Sequence, residues 1–114
     1  MFEQRLSAVA AVAIADVVGK GVRIAWATAP FEEGHEPHDT PTINARLQVL
    51  NDQIHALAQR RANVTVVPFG EKVGSPVVDR AQRPDGIHFT VAAGRDIADR
   101  WLARRLVQLG RQRV

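Results

Sequence analysis

An acid and an imidazole stand three residues apart at Asp85 and His88, in the stretch RPDGIHFTVAAGRD that spans residues 83–96. A histidine can act as general base toward a hydroxyl nucleophile. An aspartate three residues earlier can bend back to the imidazole Nδ1–H, fix its tautomer and stabilise the imidazolium that forms, as the acid of a Ser-His-Asp triad does. Gly86 would ease the tight turn between them. The spacing alone leaves two alternatives open, because Asp-x-x-His also occurs by chance in polar loops that hold one satisfied histidine.

The elements that must position the pair follow from periodicity. Residues 2–18 read as a helix, with Phe2, Leu6, Val9, Ala13 and Val17 on one face and Gly19 and Gly21 punctuating its end. VRIAWATA, residues 22–29, suits a short buried strand ended by Pro30, and residues 30–41 form a polar loop. Thr40 can cap a second helix and Pro41 suits its first position. Ile43, Leu47, Leu50, Ile54 and Leu57 then repeat at helical spacing. NVTVVPF, residues 63–69, is a second β-rich run, and residues 70–86 read as a long loop rich in Gly and Pro. Thr90 can cap a final helix through about residue 109, with Ile97, Trp101 and Leu102 facing inward.

The order helix-strand-helix-strand-helix predicts an α/β fold with parallel strands joined by βαβ crossovers. Two parallel strands make a narrow sheet, so residues 1–114 read as a single, incomplete doubly wound domain. In such sheets functional groups gather beyond the carboxyl ends of the strands. The loop with Asp85 and His88 follows the second strand and can return to that edge.

Composition narrows the function classes. The chain has 114 residues, 46% apolar and 24% charged, which fits one small globular domain. With no cysteine, thiol chemistry and disulfides are excluded. Residues 1–94 carry nine basic and ten acidic groups, whereas residues 95–114 carry six Arg and two Asp. That basic end lacks interleaved aromatic residues apart from Trp101, so a solvated helix face is expected and no nucleic-acid partner. No run approaches the roughly 20 apolar residues of a membrane span. LSAVAAVAIA with Ala13-Ile14-Ala15 has the outline of a secretory leader, but Glu3 offsets Arg5 and the helix reading uses the same positions.

Other groups that invite chemistry have plainer explanations. FEEGHEPHD gathers His35 and His38 with Glu32, Glu33, Glu36 and Asp39, yet its loop offers no fixed element to orient metal ligands, and a solvated or substrate-facing loop is expected. GEKVGS, residues 70–75, lacks the P-loop pattern. His55 is expected at the boundary or surface of the second helix, and Trp26 and Trp101 as core aromatics. Neither a metal nor a cofactor is expected.

RPDGIHFTVAAGRDIADRWLARRL closely resembles the last block of the SGNH (GDSL-type) hydrolases, which runs Asp-Gly-x-His, an aromatic residue, Ser or Thr, then Gly and an Ala-rich helix. The matching residues are Asp85, Gly86, His88, Phe89, Thr90 and Gly94. Upstream, GVRIAWATAP looks like the family's fourth strand. NARLQVLNDQIHALAQRRANVTVVPF looks like the following helix and fifth strand, with Asn44 near the helix start. The resemblance covers most of residues 20–108. It implies a three-layer α/β/α flavodoxin-like domain acting on acyl esters, often on carbohydrates, in which Asp85 orients His88 and His88 activates a serine. Some membrane acyltransferases carry such a domain as a tail outside the membrane, and this chain is similar to one. An extracytoplasmic setting would follow in that case, and a cytoplasmic one otherwise.

The sequence departs from the family widely, since segments resembling the family's first three strands are absent. It contains neither Gly-Asp-Ser nor Gly-x-Asn-Asp, and its serines are Ser7, in the first predicted helix, and Ser75, in the long loop. The chain therefore looks like the C-terminal half of such a domain, expected to be inactive alone and to self-associate through uncovered apolar faces. The alternative is a non-catalytic, degenerate α/β module acting by self-association or partner binding.

Overall fold

Two four-residue strands form the centre of the chain. β1 (Ile24–Ala27) and β2 (Val64–Val67) pair in parallel, with Ile24 opposite Val64 and Ala27 opposite Val67. The computed structural model describes Ala8 and residues 22–33, 40–74 and 80–112. Apart from Ala8, the predicted first helix over residues 2–18 lies outside these residues, as do the histidines at 35 and 38 and both serines.

Parallel strands need a crossover, and α1 (Thr40–Arg60) supplies it. Ile54 on its apolar stripe is buried, as are Val64 and Val67 on β2, against which α1 packs. Asn63 closes the crossover: its carbonyl accepts from Ile24 N–H at 2.8 Å, and its amide reaches the Val22 carbonyl. The chain is thus broadly α/β, with the parallel pairing that the alternation of elements predicts.

The second β-rich run ends earlier than its composition suggests. Phe69 leaves the strand and opens a one-turn helix, α2 (Phe69–Val73), where the sequence reads as loop. Pro68 precedes it with φ −77°, and its carbonyl accepts from Lys72 N–H at 3.0 Å. Proline is well suited to the start of a helix because its fixed φ is already near helical. β1 is also less buried than expected. Ala25 and Ala27 are exposed while Ile24 and Trp26 are half-buried, an alternation rather than a strand covered on both faces.

The final helix begins as its sequence predicts. Thr90 Oγ1 accepts from Ala93 N–H at 3.2 Å and caps α3 (Val91–Ile97). A π-helical turn (Ala98–Leu102) then leads into α4 (Ala103–Arg111) without a break in helical backbone. Ile97, Trp101 and Leu102 are half-buried and Leu109 is buried. At the far end the Arg23 guanidinium donates to the Gln112 carbonyl at 2.9 Å, so this helix runs back from the carboxyl edge of the sheet to the start of β1. Among the described residues no helix is long and apolar enough to cross a membrane.

Polar side chains fasten the carboxyl edge. Asn51 is buried in α1; its Oδ1 accepts from Ala29 N–H at 2.8 Å and its Nδ2 donates to the Ala29 carbonyl at 2.9 Å. Asn44, two helical turns earlier, makes the same pair of bonds with the backbone of Glu32, at 3.0 and 2.8 Å. A carboxamide pairs with a backbone amide much as a neighbouring strand would, so the chain beyond β1 is held extended along α1. Replacing Asn51 by Leu leaves the half-buried N–H and C=O of Ala29 without these partners, and should cost about 2 kcal/mol. A urea unfolding series should show that loss, with Gln48→Ala on the exposed face within about 0.5 kcal/mol of wild type; equal stability of Asn51→Leu and wild type would refute the clamp.

Candidate active site

The turn that carries Asp85 is built by its own residues. Gly86 N–H donates to the Arg83 carbonyl at 2.8 Å, closing a β-turn with Pro84 at its second position and Gly86 at its fourth. Gly86 has φ +78°, a backbone region that suits glycine. It also has no room for a side chain, since a Cβ there would lie 2.1 Å from the Glu33 carbonyl oxygen. Glu33 N–H in turn donates to the Gly86 carbonyl at 3.0 Å. The turn is therefore pressed, backbone to backbone, against the segment that follows β1. At its base Thr90 N–H donates to the Gln82 carbonyl at 2.9 Å, which closes the loop where α3 begins.

Asp85 and His88 meet within this loop. Asp85 Oδ1 accepts from the backbone N–H groups of Ile87 and His88 at 2.9 and 2.7 Å, and Oδ2 faces His88 Nδ1 at 2.6 Å. The His88 ring and the two backbone N–H groups hold the Asp85 carboxyl well below the usual carboxylate range, the ring contributing most. An ionised carboxylate can only accept, so the proton of the bond sits on His88 Nδ1. The neutral ring then keeps its lone pair on Nε2, and the side chain is 80% exposed. Chemically, this is a general base with a fixed tautomer and an open face.

A second polar chain lies beside α2. Thr28, 1% exposed just past β1, donates from its hydroxyl to Glu71 Oε2 and accepts from Gly70 N–H at 3.0 Å. Glu71 Oε1 faces His55 Nε2 at 3.0 Å. Burial acts to raise the Glu71 pKa, but the bonds from Thr28, His55 and the backbone outweigh it and lower the value. Gly70 packs so closely that a Cβ would lie 2.4 Å from the Ala29 carbonyl oxygen. Gly70, Glu71 and His55 border a cleft of about 430 Å³ that Phe31 and Asn51 also line. His55 is exposed, as its sequence position suggests, but it is ion-paired across to α2.

Sequence reasoning singled out Asp85 and His88, and the structure brings them into contact. It did not find Asn51, Thr28, Glu71 or Arg83 as fastening residues. One signal was present: Asn44 and Asn51, seven apart, interrupt the apolar stripe of α1 on the face that also carries Leu47 and Ile54. Thr28 and Glu71 have no such signal, because their meeting depends on the two strand ends converging. Among the described residues no group of three or more His, Asp or Glu gathers to hold a metal ion.

No family model matches the chain, and neither a curated protein nor a solved structure matches it.

Two outcomes test this geometry. Gly86→Ala forces a side chain into a positive-φ position and against the Glu33 carbonyl, and should cost at least about 2 kcal/mol. Chemical unfolding checks this, and an undiminished midpoint would contradict the close approach. The second outcome concerns pH. Folding lowers the Asp85 pKa, so the ionised group stabilises the fold above the unfolded value of about 3.9, and that contribution is lost as pH falls below it. The difference in unfolding midpoint between wild type and Asp85→Asn should narrow as pH falls below about 4. A difference that ignores pH would show that the carboxylate bonds carry no stability.

Proposed function

We propose that Asp85 and His88 are the acid–base pair of an SGNH-type serine esterase or acyltransferase domain acting on acyl esters, carbohydrate-linked esters among them. On this reading residues 1–114 are the C-terminal half of a three-layer, flavodoxin-like fold. The observation that carries it is the 2.6 Å contact from Asp85 Oδ2 to His88 Nδ1, made by a ring whose other nitrogen is open to solvent. The placement of the pair supports it too: its loop packs on the chain just beyond β1, at the carboxyl edge where α/β sheets assemble their sites.

In the mechanism, His88 Nε2 takes the proton of a serine hydroxyl as that oxygen attacks the ester carbonyl carbon. Asp85 stays ionised and stabilises the imidazolium. The ring then returns the proton to the departing alkoxide, leaving an acyl-serine. A water or acceptor hydroxyl, deprotonated by the same Nε2, releases the acyl group and restores the serine. The hydroxyl and the oxyanion donors must come from the Gly-Asp-Ser and Gly-x-Asn-Asp blocks that this sequence does not contain. Without them most of the acceleration is lost.

The 114-residue chain alone should therefore hydrolyse 4-nitrophenyl acetate at the background rate. Joined to a segment carrying both blocks, encoded just ahead of Met1 in frame or across a frameshift, it should gain hydrolysis that His88→Ala abolishes. Clear hydrolysis by the chain alone, lost in His88→Ala, would overturn the proposal. Absence of both blocks together with a stable dimer would favour a non-catalytic module working by self-association or partner binding.

A further inference from the structure

We propose that Arg83 is the positioning residue of the Asp85–His88 pair: its buried guanidinium locks the turn that carries them onto the chain beyond β1, so that the imidazole presents Nε2 in one direction. The functional meaning of this inference rests on the catalytic reading above; its geometry does not.

Arginine is almost never fully buried unless its charge is matched by hydrogen bonds. Arg83 is only 1% exposed and, among the described residues, is the largest fully buried side chain by volume. Its Nη1 donates to the Phe31 carbonyl at 2.7 Å, on the segment beyond β1. Its Nη2 donates to the Gly74 carbonyl at 2.8 Å, at the end of α2. Its Cζ lies over the Phe89 ring, 5.0 Å from the centroid, and Phe89 is the residue directly after His88. The Arg83 carbonyl also accepts from Gly86 N–H inside the turn. One residue therefore holds the turn from within and ties it to the ends of β1 and α2 and to the ring beside the base.

The fork shape matters. Two nitrogens of one rigid fork reach two carbonyls while its central carbon stands over an aromatic ring, which a lysine ammonium cannot reproduce. The neighbouring link from Arg80 to Glu33 joins the same two segments at 2.7 Å, but its side chains are 57% and 36% exposed. Water screens that pair, and exposed pairs of this kind contribute little. Arg83 is the link that a solvent-exposed substitute cannot replace.

The test reads the pair directly, in the full chain labelled with 15N in histidine and 13C at aspartate carboxyls. In wild type at pH 8, His88 should be in a single tautomer with the proton on Nδ1, and the Asp85 carboxyl should titrate below the ordinary range. In Arg83→Met the tautomer should become mixed and the Asp85 midpoint should rise by about one pH unit. Arg80→Gln should leave both unchanged. An Arg83→Met protein with intact amide signals for β1 and β2, a single Nδ1–H tautomer and an unmoved Asp85 midpoint overturns the proposal. Should Arg83→Met lose those strand signals, Phe89→Leu, which removes the ring beneath the guanidinium together with its contact to Phe69, is compared with Phe69→Leu, which keeps the Arg83–Phe89 pair: a shift in the same direction in Phe89→Leu alone supports the proposal, and wild-type values in Phe89→Leu or an equal shift in both variants overturn it. Ester hydrolysis is not among these readouts, so failure of the catalytic reading would leave this result standing on its own.

Discussion

A buried cation must find hydrogen-bond acceptors or leave the interior, and the carboxyl edge of this protein is organised around that requirement. The Arg83 guanidinium satisfies it with the backbone carbonyls of Phe31 and Gly74 and with the face of Phe89. Carbonyl acceptors are directional, so the charge fixes where those backbones lie as well as drawing them together. The turn with Asp85 and His88 inherits its placement from this arrangement.

The rest of the edge follows the same logic. Asn44 and Asn51 lend α1 the hydrogen-bonding pattern of a neighbouring strand, and Thr28 joins the end of β1 to Glu71 and Gly70 of α2. Apolar packing contributes where the elements cross: Ile54, Val64, Val67 and Leu109 are buried, and Phe69 lies 6.1 Å from Phe89 and 6.4 Å from Trp101, centroid to centroid. The aromatic group connects α2, the loop after His88 and the π turn. Hydrophobic burial thus brings the helices to the strands, and polar bonds decide the positions of the connecting chain at the edge.

The helical and strand periods of the sequence carried the parallel pairing of β1 and β2, the span of α1 and the Thr90 cap, because those features depend on local pattern and one-face burial. The contact of Asp85 with His88 was readable for the same reason, as a short-range loop closed by neighbouring residues. What the sequence did not disclose lies between segments far apart in the chain. Arg83 to Phe31 spans 52 residues and Thr28 to Glu71 spans 43. A charged residue in a polar loop gives no sign that it will be buried, since burial depends on which carbonyls converge around it. The short α2 was hidden by Gly70 and Gly74, which read as loop formers but serve as a close-contact point against Ala29 and a helix end.

Gly86 and Glu33 meet chiefly through their backbones, and that makes the two positions unequal partners. Any change at 86 that adds a carbon meets the Glu33 carbonyl, and next the Glu33 Cβ, an atom common to every residue but glycine, whereas the Glu33 carboxylate turns away to the exposed Arg80. Mutational drift would therefore be arrested at one member of the pair and free at the other. Two residues in direct contact need not vary together, and here the constraint on the dyad turn would leave no correlated trace at the position that imposes it.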